Sequence, residues 1–395
     1  MIFLKYFRKC FYAFMRVLIM PWFATFGHYR WQVYKPRSRT YIVLTNHNTN
    51  YDFFLTGLSF RRHMYYVASE SILRKGFAGK LVKFFADPIP RRKGASGQSA
   101  ADEILRRLRA GDNVCMAVEG NRSFSGESGW VSGANAPLIR ESGAGLITYR
   151  IHGGYLESPR WSKTQRPGPI WGETVREYTP EEIAGMTDDE ITAAIRSGIY
   201  VNAYEDQAQC RRRYRSKAPA ENLETALFLC PECHAFSSLH SAGSSFACQA
   251  CGMQLSFDEY GYFTAQAGGK PPFTTVLDWS RWQTDFLRTL LPQKKGSSAA
   301  LFADDQLELY VLGDGQAKEK IGTGRLTLCP DRLCFHSEET ALEFPLAEIT
   351  HMSIFLTNTL LFTASGSYYE VKSGTHYSAL KYLICWRLLI GKDYV

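Results

Sequence analysis

Short apolar runs alternate with helical segments between residues 40 and 160, and this alternation constrains the fold more than any other feature. Runs rich in β-branched and aromatic residues predict strands at residues 41–45, 64–68, 113–118 and 145–151. Apolar residues three and four positions apart predict helices at residues 51–60, 72–85 and 99–110. Strands that alternate with helices form a sheet covered by helices. The sequence therefore predicts an α/β domain in which a mixed sheet is flanked by helices.

The N-terminal segment carries the excess positive charge of the chain. Of the 46 Lys and Arg residues, eight precede the first acidic residue, Asp52, so the remaining 38 balance the 38 Asp and Glu residues. A basic segment on an otherwise neutral chain indicates an anionic surface as its partner.

Residues 1–27 are predicted to form an amphipathic helix that lies in the headgroup layer of a membrane. Basic residues interrupt the segment before 18 consecutive apolar residues accumulate, which disfavours a transmembrane helix. Pro21 is expected to kink or end the helix. The basic residues gather on one helical face and leave the other face to Ile2, Phe3, Phe7, Phe11, Phe14 and Leu18. We expect peripheral or monotopic attachment to the cytoplasmic face of a membrane, with a buried core helix or a signal peptide as the alternatives.

A histidine and an aspartate stand five positions apart where the first predicted strand passes into the first predicted helix. The spacing lets the carboxylate of Asp52 fold back onto the ring of His47. A carboxylate on one ring nitrogen fixes the tautomer and raises the basicity of the other nitrogen. The pair is therefore predicted to act as a general base on a substrate hydroxyl. The competing interpretation is a loop histidine bonded to a helix cap.

Two further segments place arginines at the ends of predicted strands. Arg91 lies where a helix gives way to a strand, and Glu119, Gly120 and Arg122 follow the strand at residues 113–118. Ligands of open α/β sheets bind beyond the carboxyl ends of the strands, and guanidinium groups match phosphate oxygens. Two arginines and a histidine base predict a phosphorylated alcohol as the acceptor.

The three motifs in order, NHxxxxD, IxR and EGxRS, resemble the glycerolipid acyltransferases of the PlsC type, which are 1-acyl-glycerol-3-phosphate acyltransferases. The resemblance covers residues 1–205. It implies transfer of a fatty acyl group from an acyl thioester to the free hydroxyl of 1-acyl-glycerol-3-phosphate, which yields phosphatidic acid. It also implies site roles: His47 is the general base, Asp52 its partner, and the acceptor-phosphate region comprises Arg91, Glu119, Gly120 and Arg122.

Three positions depart from the family pattern and bear on substrate choice. Pro88 replaces an aromatic residue, Asn121 replaces a threonine, and Thr148 stands near a position where the family usually has proline. The carrier of the donor stays open between coenzyme A and acyl carrier protein, since both end in the same phosphopantetheine thioester. The acceptor stays open between lysophosphatidate, glycerol phosphate and another lysophospholipid.

Four of the ten cysteines form two close pairs. Cys230 and Cys233 are separated from Cys248 and Cys251 by fourteen residues. Four thiolates at two tight turns make a closed tetrahedral site, which is typical of a structural zinc ribbon. The other six cysteines are scattered, which favours a reducing compartment over a disulfide framework. We predict a structural zinc ion, with disulfides as the alternative.

The chain of 395 residues is too long for one core. Four parts are predicted: a membrane-associated segment at 1–39, an acyltransferase domain at 40–215, a zinc ribbon at 222–264 and a β-rich module at 299–395. Alternating strands between residues 307 and 370, followed by a helix at 375–391, predict a small barrel of the pleckstrin-homology kind for the last part.

Three other functions explain fewer features of the sequence. A nucleic-acid-binding protein would use the basic residues 211–215 and the zinc ribbon, but acidic residues surround the ribbon, so no nucleic acid is expected as a partner. A serine hydrolase needs a Gly-x-Ser-x-Gly elbow, which the sequence lacks. A non-catalytic lipid-binding scaffold is the remaining alternative, and the intact His47 and Asp52 favour catalysis over it.

Overall fold

The computed structural model describes residues 2–73, 76–91, 97–265, 269–312, 318–373 and 377–392. The described chain divides into two compact units. The N-terminal unit extends to Arg215, except that residues 161–164 group with the C-terminal unit, which otherwise begins at Ser216.

A seven-stranded mixed sheet organises the N-terminal unit. Its strands are β1 (Tyr29–Trp31), β2 (Tyr41–Thr45), β3 (Met64–Ser69), β4 (Ile89–Arg91), β5 (Asn113–Ala117), β6 (Gly145–His152) and β7 (Ile170–Tyr178). Their order across the sheet is β1-β7-β6-β2-β5-β3-β4. The strands from β6 to β4 in that order run parallel, whereas β7 is antiparallel to β6. The carboxyl ends of β2 to β6 therefore meet at one edge of the sheet, and the predicted mixed α/β architecture is confirmed.

Helices cover both faces of this sheet. They are α1 (Ile2–Thr25), α2 (Asp52–Ser59), α3 (Glu70–Leu73), α4 (Gly76–Phe85), α5 (Gln98–Arg109), α6 (Asn135–Ser142), α7 (Gly154–Glu157), α8 (Pro180–Ala184), α9 (Asp188–Ile199) and α10 (Ala203–Gln209). The central strand β2 is buried on both faces, because Ile42 and Leu44 pack into one apolar core and Tyr41 and Val43 into the other. The helix predicted at residues 72–85 is described as α3 and α4, and residues 74–75 lie outside the described chain.

Helix α1 turns two of its arginines toward the protein. Arg8 donates to Asp87 at 2.7 Å, and Arg16 donates to the carbonyl of Leu58 at 2.6 Å. Both arginines therefore have partners within the protein. Arg16 lies at the carboxyl end of α2, where the last carbonyls of a helix generally lack intrahelical partners and a cation is stabilised.

The opposite side of α1 exposes large apolar side chains. The exposed set consists of Phe3, Tyr6, Phe14, Val17, Leu18 and Trp22, with Phe26 just beyond the helix. Phe7 and Phe11 instead pack against the rings of Phe84 and Phe85 of α4, and the side chain of Ile2 lies outside the description. We call the exposed set the apolar face of α1. Its helix continues through Pro21 to Thr25, so the proline does not end it.

No helix within the described residues combines the length and the apolar character needed to span a bilayer.

The C-terminal unit holds two antiparallel sheets. The smaller sheet contains β8 (Leu239–Ala242), β9 (Ser245–Cys248), β10 (Gln254–Phe257) and β11 (Phe263–Ala265) in the order β11-β10-β9-β8. The larger sheet contains β12 (Phe302–Leu312), β13 (Lys318–Leu328), β14 (Arg332–His336), β15 (Ala341–Pro345), β16 (Ile349–Phe355), β17 (Thr359–Ala364) and β18 (Ser367–Ser373). Its order is β15-β14-β13-β12-β18-β17-β16. The predicted β-rich C-terminal region is confirmed.

Two α-helices accompany these sheets. Helix α12 (Ala379–Leu389) was expected within residues 375–391, of which 375 and 376 lie outside the described chain. Helix α11 (Val276–Lys294) was not anticipated. A Thr-x-x-Asp cap marks its start, because the hydroxyl of Thr275 accepts from the amide of Asp278 at 3.0 Å. Short 3₁₀ turns occupy Leu223–Thr225 and Leu346–Glu348.

A buried ion pair anchors α12 within the C-terminal unit. The side chain of Lys381 is fully buried, and its Nζ lies 2.7 Å from Asp304 Oδ2 at the start of β12. The hydroxyl of Tyr382 donates to the same carboxylate at 2.7 Å. Burial lowers the pKa of Lys381, whereas Asp304 opposes this effect. The carboxylate is therefore the charge that makes a buried ammonium tolerable.

We expect Asp304→Asn to lower the free energy of unfolding by about 3 kcal/mol, because it leaves the Lys381 ammonium buried without its counter-charge. Asp305→Asn is the matched control, since the neighbouring side chain is 64% exposed, and it should change stability by less than about 0.5 kcal/mol. Urea unfolding followed by circular dichroism measures both. Equal stability of the two variants would contradict the role given to the ion pair.

Candidate active site

The predicted histidine–aspartate pair forms at the carboxyl end of β2. His47 Nδ1 lies 2.7 Å from Asp52 Oδ2, and Asp52 opens helix α2. The carboxylate also accepts from the amides of Asn48 and Thr49, both at 2.9 Å, and from the Thr49 hydroxyl at 2.6 Å. Because a carboxylate accepts, His47 Nδ1 carries the hydrogen and Nε2 is the basic nitrogen. The His47 side chain is 26% exposed, whereas Asp52 is buried.

Glu119 holds the backbone of the histidine in place. One carboxylate oxygen accepts from the amide of His47 at 2.7 Å, and the other accepts from the amide of Gly129 at 2.5 Å. Burial raises the pKa of Glu119 to about 8, although both amide donors act in the opposite direction. Glu119 therefore links the segment after β5 to the histidine-bearing segment after β2.

Arg122 braces the same segment from the other side. Its guanidinium donates to the carbonyl of Asn48 at 2.9 Å and to Asn50 Oδ1 at 3.0 Å, and it also bonds to Ser158. Burial lowers the pKa of Arg122. Gly120 allows this approach because its φ of +72° lies in the left-handed region, where a side chain is strained.

Arg91 stands apart from the other predicted residues. It ends β4, the edge strand, and pairs in register with Ser69 of β3. Strand β4 is the third strand from β2, which corresponds to a separation of about 14 Å across the sheet. The structure thus brings His47, Asp52, Glu119 and Arg122 together and places Arg91 farther along the same edge.

The sequence did not identify Glu157, which lies beside this group. The residue ends helix α7, directly after β6, and accepts a hydrogen bond from the hydroxyl of Tyr51. Burial raises the pKa of Glu157 to about 7, against the lowering effects of Tyr51 and Arg122. Its position after a strand end is the signal that could have found it.

Arg160 is a further buried side chain beside this group. Its guanidinium donates to the carbonyl of Arg122 at 3.0 Å and lies 4.3 Å from the ring centroid of Phe124. Burial lowers the pKa of Arg160 to about 9. This arginine supports the segment that carries Arg122.

A second histidine–aspartate pair lies at the end of β6, the strand next to β2, where β6 ends beside β7. His152 Nδ1 is 2.9 Å from Asp206 Oδ2, but Nε2 lies 3.5 Å from Glu173 Oε1. The ring stacks on Trp171 with centroids 4.9 Å apart, and the side chain is 11% exposed. Both ring nitrogens face carboxylates, so this pair is suited to a structural role.

Residues 28–149 match the Acyltransferase protein family. This segment is an acyltransferase domain. The resemblance expected from the three motifs is therefore confirmed for the acyltransferase family. The crystal structure of the 1-acyl-sn-glycerophosphate (LPA) acyltransferase PlsC from Thermotoga maritima is similar, with a TM-score of 0.41 and 20% identity over 53% of this chain and 82% of that chain. No curated protein sequence matches the chain.

Asp52, itself held by Asn48 and Thr49, fixes the His47 ring from the Nδ1 side. Asp52 fixes the tautomer and can stabilise an imidazolium by its charge. Such a pair can accept a proton from a hydroxyl that approaches Nε2, and it can return that proton to a leaving group.

The four paired cysteines come together in the C-terminal unit. All four Sγ atoms lie within 4.8 Å of one another. Cys230 Sγ is 3.7 Å from Cys251 Sγ, and Cys233 Sγ is 3.7 Å from Cys248 Sγ. A tetrahedral ion with bonds of about 2.3 Å to sulfur places the sulfurs about 3.8 Å apart. The cluster therefore fits the geometry of a zinc ion.

The two cysteine turns share one backbone geometry. His234 follows the first pair with a φ of 58°, and Gly252 follows the second with a φ of 80°. Each residue donates its amide at 3.0 Å to the carbonyl of the first cysteine in its pair. Two matching tight turns present their thiols to the same point.

We expect Glu157 to make the N-terminal unit less stable as the pH rises from about 4.5 to 7. A carboxyl group whose folded pKa is raised binds its proton more tightly when folded, so its contribution is fully present below the unfolded pKa and is lost through the folded pKa. The shift corresponds to about 3 kcal/mol. Over this pH range the free energy of unfolding of Glu157→Gln, measured with urea, should fall by about 3 kcal/mol less than that of the parent chain. The exposed Glu141→Gln should follow the parent chain. A Glu157→Gln curve parallel to the parent would contradict the assignment.

Proposed function

We propose that the chain transfers a fatty acyl group from an acyl thioester to the free hydroxyl of 1-acyl-glycerol-3-phosphate and so makes phosphatidic acid. The observation that carries this proposal is the 2.7 Å contact between His47 Nδ1 and Asp52 in an acyltransferase domain, with the ring partly exposed. A base that is accessible at the carboxyl edge of the sheet can meet a substrate hydroxyl there.

The reaction follows from the orientation of the imidazole. Nε2 of His47 takes the hydroxyl proton while the acceptor oxygen bonds to the thioester carbonyl carbon. The carbon–sulfur bond then breaks, and the imidazolium returns its proton to the departing thiolate. Asp52 stabilises the imidazolium between the two transfers. The ester and a free thiol are the products, and the enzyme returns to its starting state.

Arg91, Glu119, Gly120 and Arg122 form the proposed acceptor-phosphate region. Arg91 and Arg122 lie at the carboxyl edge that also carries His47. Burial lowers the pKa of both arginines. Arg91 is exposed at its strand end, whereas the half-buried guanidinium of Arg122 attracts an anion more strongly than one in water. Glu119 and Gly120 shape the segment that positions Arg122 and the histidine. Acyl-coenzyme A and acyl-acyl carrier protein are equally suited as donors on this chemistry.

We expect His47→Asn to reduce acyl transfer at least a hundredfold, because a carboxamide can replace the Nδ1–H donor to Asp52 but cannot accept the proton. The matched control is His152→Asn, which changes the second histidine–aspartate pair and should retain activity. The assay supplies a labelled acyl thioester with lysophosphatidate, glycerol phosphate or other lysophospholipids.

Full activity of His47→Asn would refute catalysis by this residue. A folded parent chain that binds the lysolipids but transfers no acyl group to any of them would favour the non-catalytic lipid-binding scaffold instead. Transfer to an acceptor other than lysophosphatidate would change the proposed acceptor but not the proposed acyl transfer.

We also propose that the four-cysteine cluster holds one structural zinc ion. The sulfur separations support it, and four thiolates leave no open position for catalysis. Elemental analysis of the purified chain should find about one zinc per molecule. Cys233→Ser should lose the metal, whereas Cys210→Ser, which changes an exposed cysteine outside the cluster, should retain it. If elemental analysis finds no zinc in the parent chain after purification without a chelator, the proposal is contradicted.

The apolar face of α1 is proposed to attach the enzyme to a membrane surface. Exposed side chains of α4 and α2 belong to the same unit, among them Phe77, Phe84, Phe53 and Phe54. Large apolar side chains exposed along one helical face mark a partner or a membrane surface. Leu18→Asn with Trp22→Asn should lower flotation with phosphatidylcholine vesicles about tenfold or more, while Val33→Asn with Val175→Asn should not. Equal flotation of both variants would count against attachment through α1.

A further inference from the structure

A cavity of about 360 Å³ opens in the N-terminal unit near the end of α1. It contains neither His47 nor Asp52. Its volume falls within the range of about 300–1,000 Å³ typical of ligand sites. Its main lining residues are Ala24, His28, Arg30, Gly168, Arg213 and Arg215.

Backbone hydrogen bonds fix the three segments that line this cavity. The amide of Ile170 donates to the carbonyl of His28 at 3.2 Å, and the amide of Arg215 donates to the carbonyl of Pro167 at 3.1 Å. Gly168 lies against the ring of Tyr214, where an added Cβ would stand 2.3 Å from a ring carbon. The cavity is thus built from tightly joined segments that are distant in sequence.

The lining is cationic. Three arginines and a histidine contribute to it, and no carboxylate does. Elsewhere in the unit, arginines are commonly paired, as Arg8 is with Asp87 and Arg140 is with Asp188. Neither Arg30 nor Arg215 forms an ion pair with a carboxylate in the part of the chain that is described. Like charges that share a cavity repel one another, so an anion bound between them would be stabilised.

The position of the cavity relates it to lipid. Strand β7 starts where β6 ends, because Trp171 pairs with His152, and β1 runs parallel to β7. The cavity therefore lies at the sheet edge that carries His47, about 14 Å away across three strand spacings. Trp22 and Phe26, both exposed, flank Ala24 in the sequence. A cation cluster next to an apolar face matches the level at which phosphate groups lie in a bilayer.

We propose that this cavity binds a phosphate group, separately from the acceptor site at His47. The guanidinium fork matches phosphate oxygens in pairs, and a phosphate monoester offers three acceptor oxygens to several cations at once, where a carboxylate offers two. The phosphate can come from an anionic lipid headgroup or from a soluble phosphate ester. The binding does not depend on catalysis, so it goes beyond the acyl transfer proposed above.

The test compares Arg30→Gln/Arg215→Gln with the charge-matched Arg39→Gln/Arg61→Gln, which changes exposed arginines of the same unit outside the cavity. One arm measures co-sedimentation with vesicles of phosphatidylcholine alone and with one-fifth phosphatidic acid. The other arm titrates coenzyme A and inorganic phosphate by calorimetry. Thermal unfolding checks that both variants are folded, and His47→Asn is carried through both arms.

The cavity variant should lose about thirty-fold in affinity for phosphatidate vesicles, with little change on neutral vesicles and little loss in the control. A loss confined to coenzyme A or phosphate supports the same cavity with a soluble ligand. Equal losses in the two arginine pairs, or no loss in either arm, would overturn the proposal. His47→Asn should bind as the parent chain does, so failure of the cavity and failure of the catalytic assignment are separable.

Discussion

The acyltransferase domain depends on one buried carboxylate, that of Asp52. It stands at the first position of α2. Its oxygens accept hydrogen bonds from His47 Nδ1, from the amides of Asn48 and Thr49, and from the Thr49 hydroxyl. The same carboxylate oxygens thus hold the backbone of the turn between β2 and α2 and orient the imidazole ring. Glu119 and Arg122 then act on the backbone of that turn from the neighbouring strand end. The catalytic proposal is thus supported by several contacts that converge on one short segment.

Arginines that bond to groups inside the protein are the second feature on which the N-terminal unit depends. Arg8 and Arg16 of α1 bond to an aspartate and to the carbonyl end of α2, and this turns both side chains toward the protein. The apolar face of α1 is consequently left outside. The arginines around the cavity near Ala24 are different, because their lining contains no carboxylate. Position relative to carboxylates and carbonyl ends therefore distinguishes arginines with internal partners, such as Arg8, from Arg30 and Arg215, which line a cavity without a carboxylate.

Two polar features add to the buried apolar side chains that fill the C-terminal unit. The cysteine cluster joins two turns of the small sheet, and the ion pair between Lys381 and Asp304 joins α12 to the larger sheet. Lys381 also donates to Ser237, which lies between the two cysteine pairs. These local bonds therefore act together with the apolar core of the unit.

The sequence by itself determined the local chemistry of this protein. The alternating sheet, the contact between His47 and Asp52, and the meeting of the four cysteines all follow from spacings of a few residues or from two tight turns. Only the tertiary structure decided which side of α1 faces outward, that Glu157 lies beside Tyr51, and that residues near 28, 168 and 215 share one cavity. Helix α11 was also missed, since its burial depends on neighbours outside its own segment. The physical reason is the separation of the interacting residues along the sequence. Short spacings fix local geometry through the backbone, whereas the partner of a distant charge or apolar face depends on how the whole chain packs.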